Sequence, residues 1–457
     1  MTRDRLLLWA IALGASCALL ATLLVRQQTA GGPGEDDPPA LAKWLGHHPA
    51  DWLVAARLTE ISLDSASPDR LATWRELHAL GKRLAPHRTN ADAAFVRAGL
   101  FHWYELGAGD RERVLMAAKP LLEDPEVFKW LYEPLWQLTR DLATLRRISP
   151  RSSMATASLK KTAVENGLFD HYRDLRQQER RLLLQRATEV AKQGKTAELM
   201  RLVPSPLRRD DHEMVQLALA SYGRDASAAG SEPLPQPVAE YVLRHEVAAG
   251  VALRKMVGEP SYPPTLRARL ALFAGRDDIA TRIEVAEADP RSPVWIDYFL
   301  HRAELEARRR RAEAADTYLN KATGGGLTPS LLRTAATTAE LLGRSASARA
   351  YRSDLRTLGS EPVEWRGTCG KDELCGMVSW EGYAEGESLP VRLSVVQSDE
   401  IPPYVEIYVD DRLVQETAVR SHAQLSIPLS GRGRHRIEIL LVNPHTRTGV
   451  QRRLRVS

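Results

Sequence analysis

The sequence predicts a mainly α-helical protein with a C-terminal all-β module and a single N-terminal transmembrane helix. The helical part reads as an α-solenoid of helix–turn–helix repeats. Three observations carry this. Residues 6–25 form an apolar run without a charge, residues 40–358 follow helical periodicity broken at short intervals, and residues 361–457 alternate like strands. The 457 residues suffice for two to four domains. The divisions fall at 1–26 (cytoplasmic head and anchor), 27–39 (linker), 40–358 (helical repeats) and 361–457 (β module). A net charge of +5 is weak at this size and excludes a nucleic-acid partner, whose protein would concentrate more basic charge on one face. Three cysteines exclude a disulfide scaffold or a thiolate metal array.

The first element is the run LLLWAIALGASCALLATLLV. Twenty residues at 1.5 Å each reach about 30 Å, the thickness of a bilayer's hydrocarbon core. Arg3 and Arg5 precede it, while Glu35, Asp36 and Asp37 follow, so the positive-inside rule places the short head in the cytoplasm and the bulk outside. A cleaved signal peptide is the competing reading, but Gln28 stands where a small residue is wanted. The faint lipoprotein-like approach to Cys17 has its leucine one residue too far away. An abundance of Ala, Arg and Leu points to a bacterial source, hence a single-pass inner-membrane protein with its bulk in the periplasm. In that oxidising compartment Cys369 and Cys375, the two cysteines beyond the anchor, are expected to join. Residues 27–39, rich in Gly, Pro and acid, read as the linker leaving the membrane.

From residue 40, apolar positions recur at three and four, and breaks at prolines and glycines divide the chain into short helices. So long a succession of short helix pairs points to a stacked array. A glycine followed by a basic residue separates helical runs at Gly81, Gly194, Gly223, Gly275 and Gly343. Gly275 and Gly343 are 68 residues apart, with the midpoint at Arg309 in the run Arg308, Arg309, Arg310 and Arg311. Five residues beyond these points stand Ala280, Ala314 and Ala348, small enough for close helix packing, while the glycines suit a helix C-cap with positive φ. On these residues, and on Tyr318 four after Ala314, the stretch 265–358 resembles the tetratricopeptide-repeat family, a 34-residue helix–turn–helix unit. Glu284, Arg302 and Arg352 depart from its pattern. The resemblance implies a surface that binds peptides or partner subunits.

After residue 361 the period changes. Val405, Ile407 and Val409 alternate with Tyr404, Glu406 and Tyr408, Leu425 and Ile427 form an edge strand interrupted by Pro428, and further strands are expected at 389–396, around 378, after 412, at 437–442 and at 454–456. Seven or eight short strands in about a hundred residues match an immunoglobulin-like sandwich in size. The runs YVEIYVDDRLVQE and LSIPLSGRGRHRIEILLVN look like bacterial immunoglobulin-like or fibronectin-type modules. Charge is segregated: 361–416 holds thirteen acids and four bases, 420–457 eight arginines and one acid, Glu438. Either the two halves pair across strands, or the module has a basic edge.

No nucleophile elbow, zinc-protease, phosphate-loop or dinucleotide motif occurs, so no catalytic residue, cofactor or metal is assigned and an enzyme is not expected. His47 and His48 would point apart on a helix, and Asp210, Asp211, His212 and Glu213 read as a helix N-terminus. The candidates for partner binding are Arg308, Arg309, Arg310 and Arg311 together with Trp103, Trp130 and Trp136; a solvated cluster at a turn is the other role open to the arginines, and packing in the core that open to the tryptophans. The expected function is a membrane-anchored periplasmic scaffold or adaptor for other envelope proteins or their peptides, in an assembly, export, pilus or polysaccharide system. The alternative is a glycan- or cell-wall-binding protein that uses the β module, with Trp365 and Trp380 as its aromatic candidates.

Overall fold

The computed structural model describes residues 38–224, 233–324, 327, 329–357, 365–367, 369, 373–384, 387–431, 433–445 and 449–457. The apolar run at 6–25, Cys17, most of the linker and the junction at 358–364 lie outside them. Among the described residues no helix is long and apolar enough to cross a membrane. The chain packs as two compact units, Met1–Thr162 and Ala163–Ser457. The division therefore falls within the helical stretch, and the second unit holds both helices and sheets.

The first unit contains α1 (Pro38–His47), α2 (Trp52–Ile61), α3 (Arg70–Leu84), α4 (Asn90–Phe101), α5 (Ala108–Leu121), α6 (Pro125–Thr139), α7 (Leu142–Ile148) and most of α8 (Ser153–Glu165). Local chemistry starts several of them. Asp51, Asp124 and Asp141 each accept a hydrogen bond from an amide of the following first turn, and Pro125 opens α6 where its missing N–H costs nothing. Helices α2, α4 and α6 adjoin in one row, and α3, α5 and α7 lie against that row or each other. Trp74 of α3, fully buried, stacks on Phe95 of α4 at 3.9 Å. Gly81 and Gly99 are close-approach residues within helices. A Cβ at Gly81 would stand 2.9 Å from that of Ala91, and one at Gly99 would collide with Val114. Gly81, expected at a turn, thus lies inside α3, where its missing side chain admits the neighbouring helix.

The second unit continues with α9 (Phe169–Lys192), α10 (Thr196–Leu202), α11 (His212–Arg224), α12 (Gln236–Arg244), α13 (Gly250–Gly258), α14 (Pro264–Phe273), α15 (Asp277–Glu287), α16 (Pro293–Arg308), α17 (Ala312–Thr323), α18 (Pro329–Leu341) and α19 (Ser345–Thr357). One apolar core runs from Met200 to Ala348. Helices α14 and α15, α16 and α17, and α18 and α19 pair, and α14, α16 and α18 adjoin in a row. The turns inside the three pairs share one geometry. Gly275 and Gly343 have φ near +70°, and their amides and those following bond back to the helix end. In the middle pair the equivalent residue is Arg310 at φ +61°, with Arg310 N–H bonded to Ala307 O and Arg311 N–H to Glu306 O. The expected turn at Arg309 is thus displaced by one, and the alanine five residues on is Ala315, fully buried, with Ala314 half-buried. Ala280 and Ala348 are buried as their spacing implied. Tyr318 is half-buried under the Arg302 guanidinium, 4.3 Å from its ring. Gly223 is the last residue but one of α11, and its backbone is helical and not left-handed.

Nine strands follow among the described residues: β1 (Arg366–Gly367), β2 (Glu373–Leu374), β3 (Met377–Ala384), β4 (Ser388–Gln397), β5 (Tyr404–Val409), β6 (Arg412–Ala418), β7 (His422–Pro428), β8 (Gly433–Leu441) and β9 (Arg453–Val456). They form two antiparallel sheets ordered β1-β3-β8-β5-β6 and β2-β9-β4-β7. Both contribute to one core, which includes Val391, Leu393, Ile407, Ile437, Ile439 and Leu454. Strand β5 departs from half-burial: all six residues are buried. Val405, Ile407 and Val409 face the core between the sheets, while Tyr404 and Glu406 engage arginines of α9 and Tyr408 engages Arg208 of the loop between α10 and α11.

Candidate functional site

In the first unit a groove of about 590 Å³ lies over α4, between α3 and α5. Phe95, Ala79, Ala117 and Met116 supply its apolar lining, and Met116 is 47% exposed. Arg75, Glu76, His78, Asp92 and Arg113 form the polar part. The carboxylates beneath are neutralised. Asp92 takes His78 Nε2 at 2.9 Å and Lys82 Nζ at 2.7 Å. Burial resists its ionisation, yet the bonds from His78 and Lys82 prevail and hold its carboxyl below the usual range. Asp110 is gripped by Arg75 at 2.7 and 2.5 Å and by Arg113 at 3.3 Å. The cations are the more exposed members of these pairs, the side chains of Arg75, Arg113 and, beside the groove, Lys82 being 40, 59 and 38% exposed, while Asp110 and Asp92 balance their charge. Glu76 is the exposed acid beside them. Such a groove suits an apolar side chain flanked by polar groups.

The residues singled out from sequence are placed differently. Trp103 and Trp136 are buried beneath Arg111 and Arg140, and Trp130 is half-buried, so the first two serve the core and offer no exposed ring to a partner. Their helices' apolar faces claim the large rings first. Among the described residues the exposed aromatics of that unit are Phe101 and Tyr104. The arginine run is largely consumed within the fold. Arg308 pairs with Glu304 at 2.6 Å, Arg309 with Asp277 at 3.1 Å and Glu306 at 3.3 Å, and Arg311 with the same two acids at 3.2 and 3.4 Å. Burial opposes ionisation of Asp277, but the bonds from Arg309 and Arg311 hold it below the ordinary carboxylate value. Arg310 forms the turn itself. Cys369 and Cys375 stand 6.0 Å apart at Cα, a disulfide separation. Among the described residues no three His, Cys, Asp or Glu side chains converge as a metal site. Trp365 and Trp380 lie in the core between the sheets, 5 and 6% exposed.

A second polar cluster, wholly missed from sequence, fastens the β sheets to the helices within the second unit. Glu406 accepts from Arg176, Tyr408 and, at 2.7 Å, Tyr172. Arg208 pairs with Glu438 and lies 3.6 Å over the Tyr408 ring. Asp411 takes His245 Nε2 at 2.8 Å and Arg244 at 3.0 Å, and Arg173 reaches Glu416 at 2.9 Å. Asp410 and Asp411, at φ +51° and +65°, make the tight turn from β5 to β6 that presents these groups. Three acids of 361–416, Glu406, Asp411 and Glu416, are thus met by helical arginines about 170–240 residues away in sequence. Within the module Asp399, Glu373 and Asp410 pair with Arg452, Arg453 and His435, so the two halves also match each other. The only sequence signal was that imbalance, which names no partner. Comparison with models of known protein families and with curated proteins returns no match to this chain.

Proposed function

We propose that the protein is a membrane-anchored periplasmic scaffold or adaptor that binds segments of other envelope proteins on its helical surface. The observation that carries this reading is the groove over α4, with an apolar lining and a rim of partly exposed, ion-paired arginines. Supporting it, ion pairs of the first unit join residues 35 apart: Arg70 with Glu105, Arg75 with Asp110, and Glu112 with Arg147. The turns at Gly275, Arg310 and Gly343 are 35 and 33 apart. Both spacings are close to the repeat of a tetratricopeptide-like solenoid, and the two sheets suit an immunoglobulin-like module. The charge-free run at 6–25 supports the anchor. The glycan reading loses its aromatic platform, since Trp365 and Trp380 are buried.

The test is a photoreactive residue placed at Met116 in the full-length chain, in its native membrane. Light should join it to discrete protein bands, and the added substitution Arg113→Glu should remove them. Adducts indifferent to Arg113→Glu, or none at all, would refute binding in this groove.

A further inference from the structure

The two sheets have four edges, and three are unsuited to pairing. Strands β1 and β2 are two residues long, and β6 carries Arg412 and Glu416, meets a register shift against β5, and is tied to α9 through Glu416. Strand β7 is different. Its seven residues, HAQLSIP, contain no charged side chain, and its sole neighbour in the sheet is β4. Proteins ordinarily protect such an edge with charge, proline, a bulge or a covering element, and of these β7 carries only Pro428, at its last position.

The hydrogen-bond parity of the strand shows what the edge offers. Val395 N–H donates to Ser421 O at 2.8 Å, and Leu429 N–H to Glu387 O at 2.9 Å. Odd-numbered residues therefore turn their backbone groups toward β4, and His422, Gln424, Ser426 and the Pro428 carbonyl turn theirs outward. No backbone partner for these groups occurs among the described residues. On the inner face Ala423 and Leu425 are only partly covered by the core.

We propose that β7 pairs antiparallel with β7 of a second copy of this chain, joining two four-stranded sheets into one. The strand is complementary to itself about Leu425. A two-fold axis there sets Gln424 opposite Ser426 with both backbone bonds made, and His422 opposite Pro428 with the one bond proline allows. Ala423 faces Ile427, and Leu425 faces its own mate, extending the apolar inner face across the junction. Arg420, the nearest charged residue before the strand, meets Ser430 rather than another arginine. A charged foreign strand would find no counter-charge on β7, so the second copy is the better occupant.

The experiment measures the mass of the purified full chain, held in detergent, across a dilution series. The expected result is a concentration-dependent doubling of mass that is lost in the double variant Gln424→Lys with Ser426→Lys, whose side chains point away from the core. The variant Gln424→Pro removes an outward N–H, leaves the bonds to β4 intact, and should likewise stay monomeric with an unchanged circular dichroism spectrum. In the native dimer, amides 422, 424 and 426 should gain protection from hydrogen exchange. A monomer at every concentration, or a dimer that persists in both variants, would overturn the proposal.

Discussion

Replacing Arg208 by methionine removes a cation that is 3% exposed and leaves Glu438, 1% exposed, short of one partner. Breaking a buried ion pair from one side costs roughly 3–5 kcal/mol, because the surviving charge stays desolvated. Glu438 keeps Arg436 at 2.6 Å, which places the expected loss near the lower end, about 3 kcal/mol. The contact of the guanidinium with the Tyr408 ring belongs to the same loss and is not added to it. With a urea slope of about 3 kcal/mol per molar, the midpoint of unfolding of the second unit should fall by about 1 M. Urea titration followed by tryptophan fluorescence reads this, since Trp365 and Trp380 lie in the core between the sheets. The double variant Arg208→Met with Glu438→Leu should recover much of the loss, because no uncompensated acid is then buried there. Arg147→Ala, in an exposed pair with Glu112, serves as the control and should leave the midpoint unchanged. A midpoint for Arg208→Met equal to that of the control would refute the view that this cluster binds the sheets to the helices.

Acid should release the same cluster through Asp411. Burial resists its ionisation, but the His245 bond and the charges of Arg244 and Arg436 prevail, so its folded pKa is depressed. Its contribution is complete above the unfolded value of about 3.9 and is lost as pH falls through the lower folded value; Asp411→Asn should therefore flatten the acid limb of a plot of urea midpoint against pH. Arg310→Gly should raise stability by about 1 kcal/mol, measured by the same titration, since a left-handed backbone costs an L-residue roughly that much. The converse change, Gly343→Ala, should lower it by a similar amount. Reducing the Cys369–Cys375 bridge opens a short loop and should cost roughly 2 kcal/mol, seen as a lower midpoint in the presence of dithiothreitol.

Helix and strand were readable because each depends on the spacing of apolar residues along a few turns or a few pleats. The change of period near 361 marks where helices end and strands begin, and the edge position of Pro428 follows from its missing N–H. Register was harder. A turn search by glycine selects Arg309 as the midpoint of 275 and 343, whereas an arginine one residue later adopts the positive φ. Composition offers no hint of that exchange, because the surrounding hydrogen bonds, and not the residue's own preference, impose the conformation.

Local pattern thus dictates the elements of this chain: the helical stretch, the strands, the turn at Asp410 and Asp411, and the two cysteines held at bridging distance. Partnership is a matter of the folded molecule. The charge of Glu406 looks like the solvated face of an alternating strand until Arg176, 230 residues earlier, is brought against it. Trp103 could line a groove or fill the core until packing encloses it. A side chain's neighbours along the chain set its backbone geometry, whereas its ionisation and accessibility depend on distant groups that only close packing brings near.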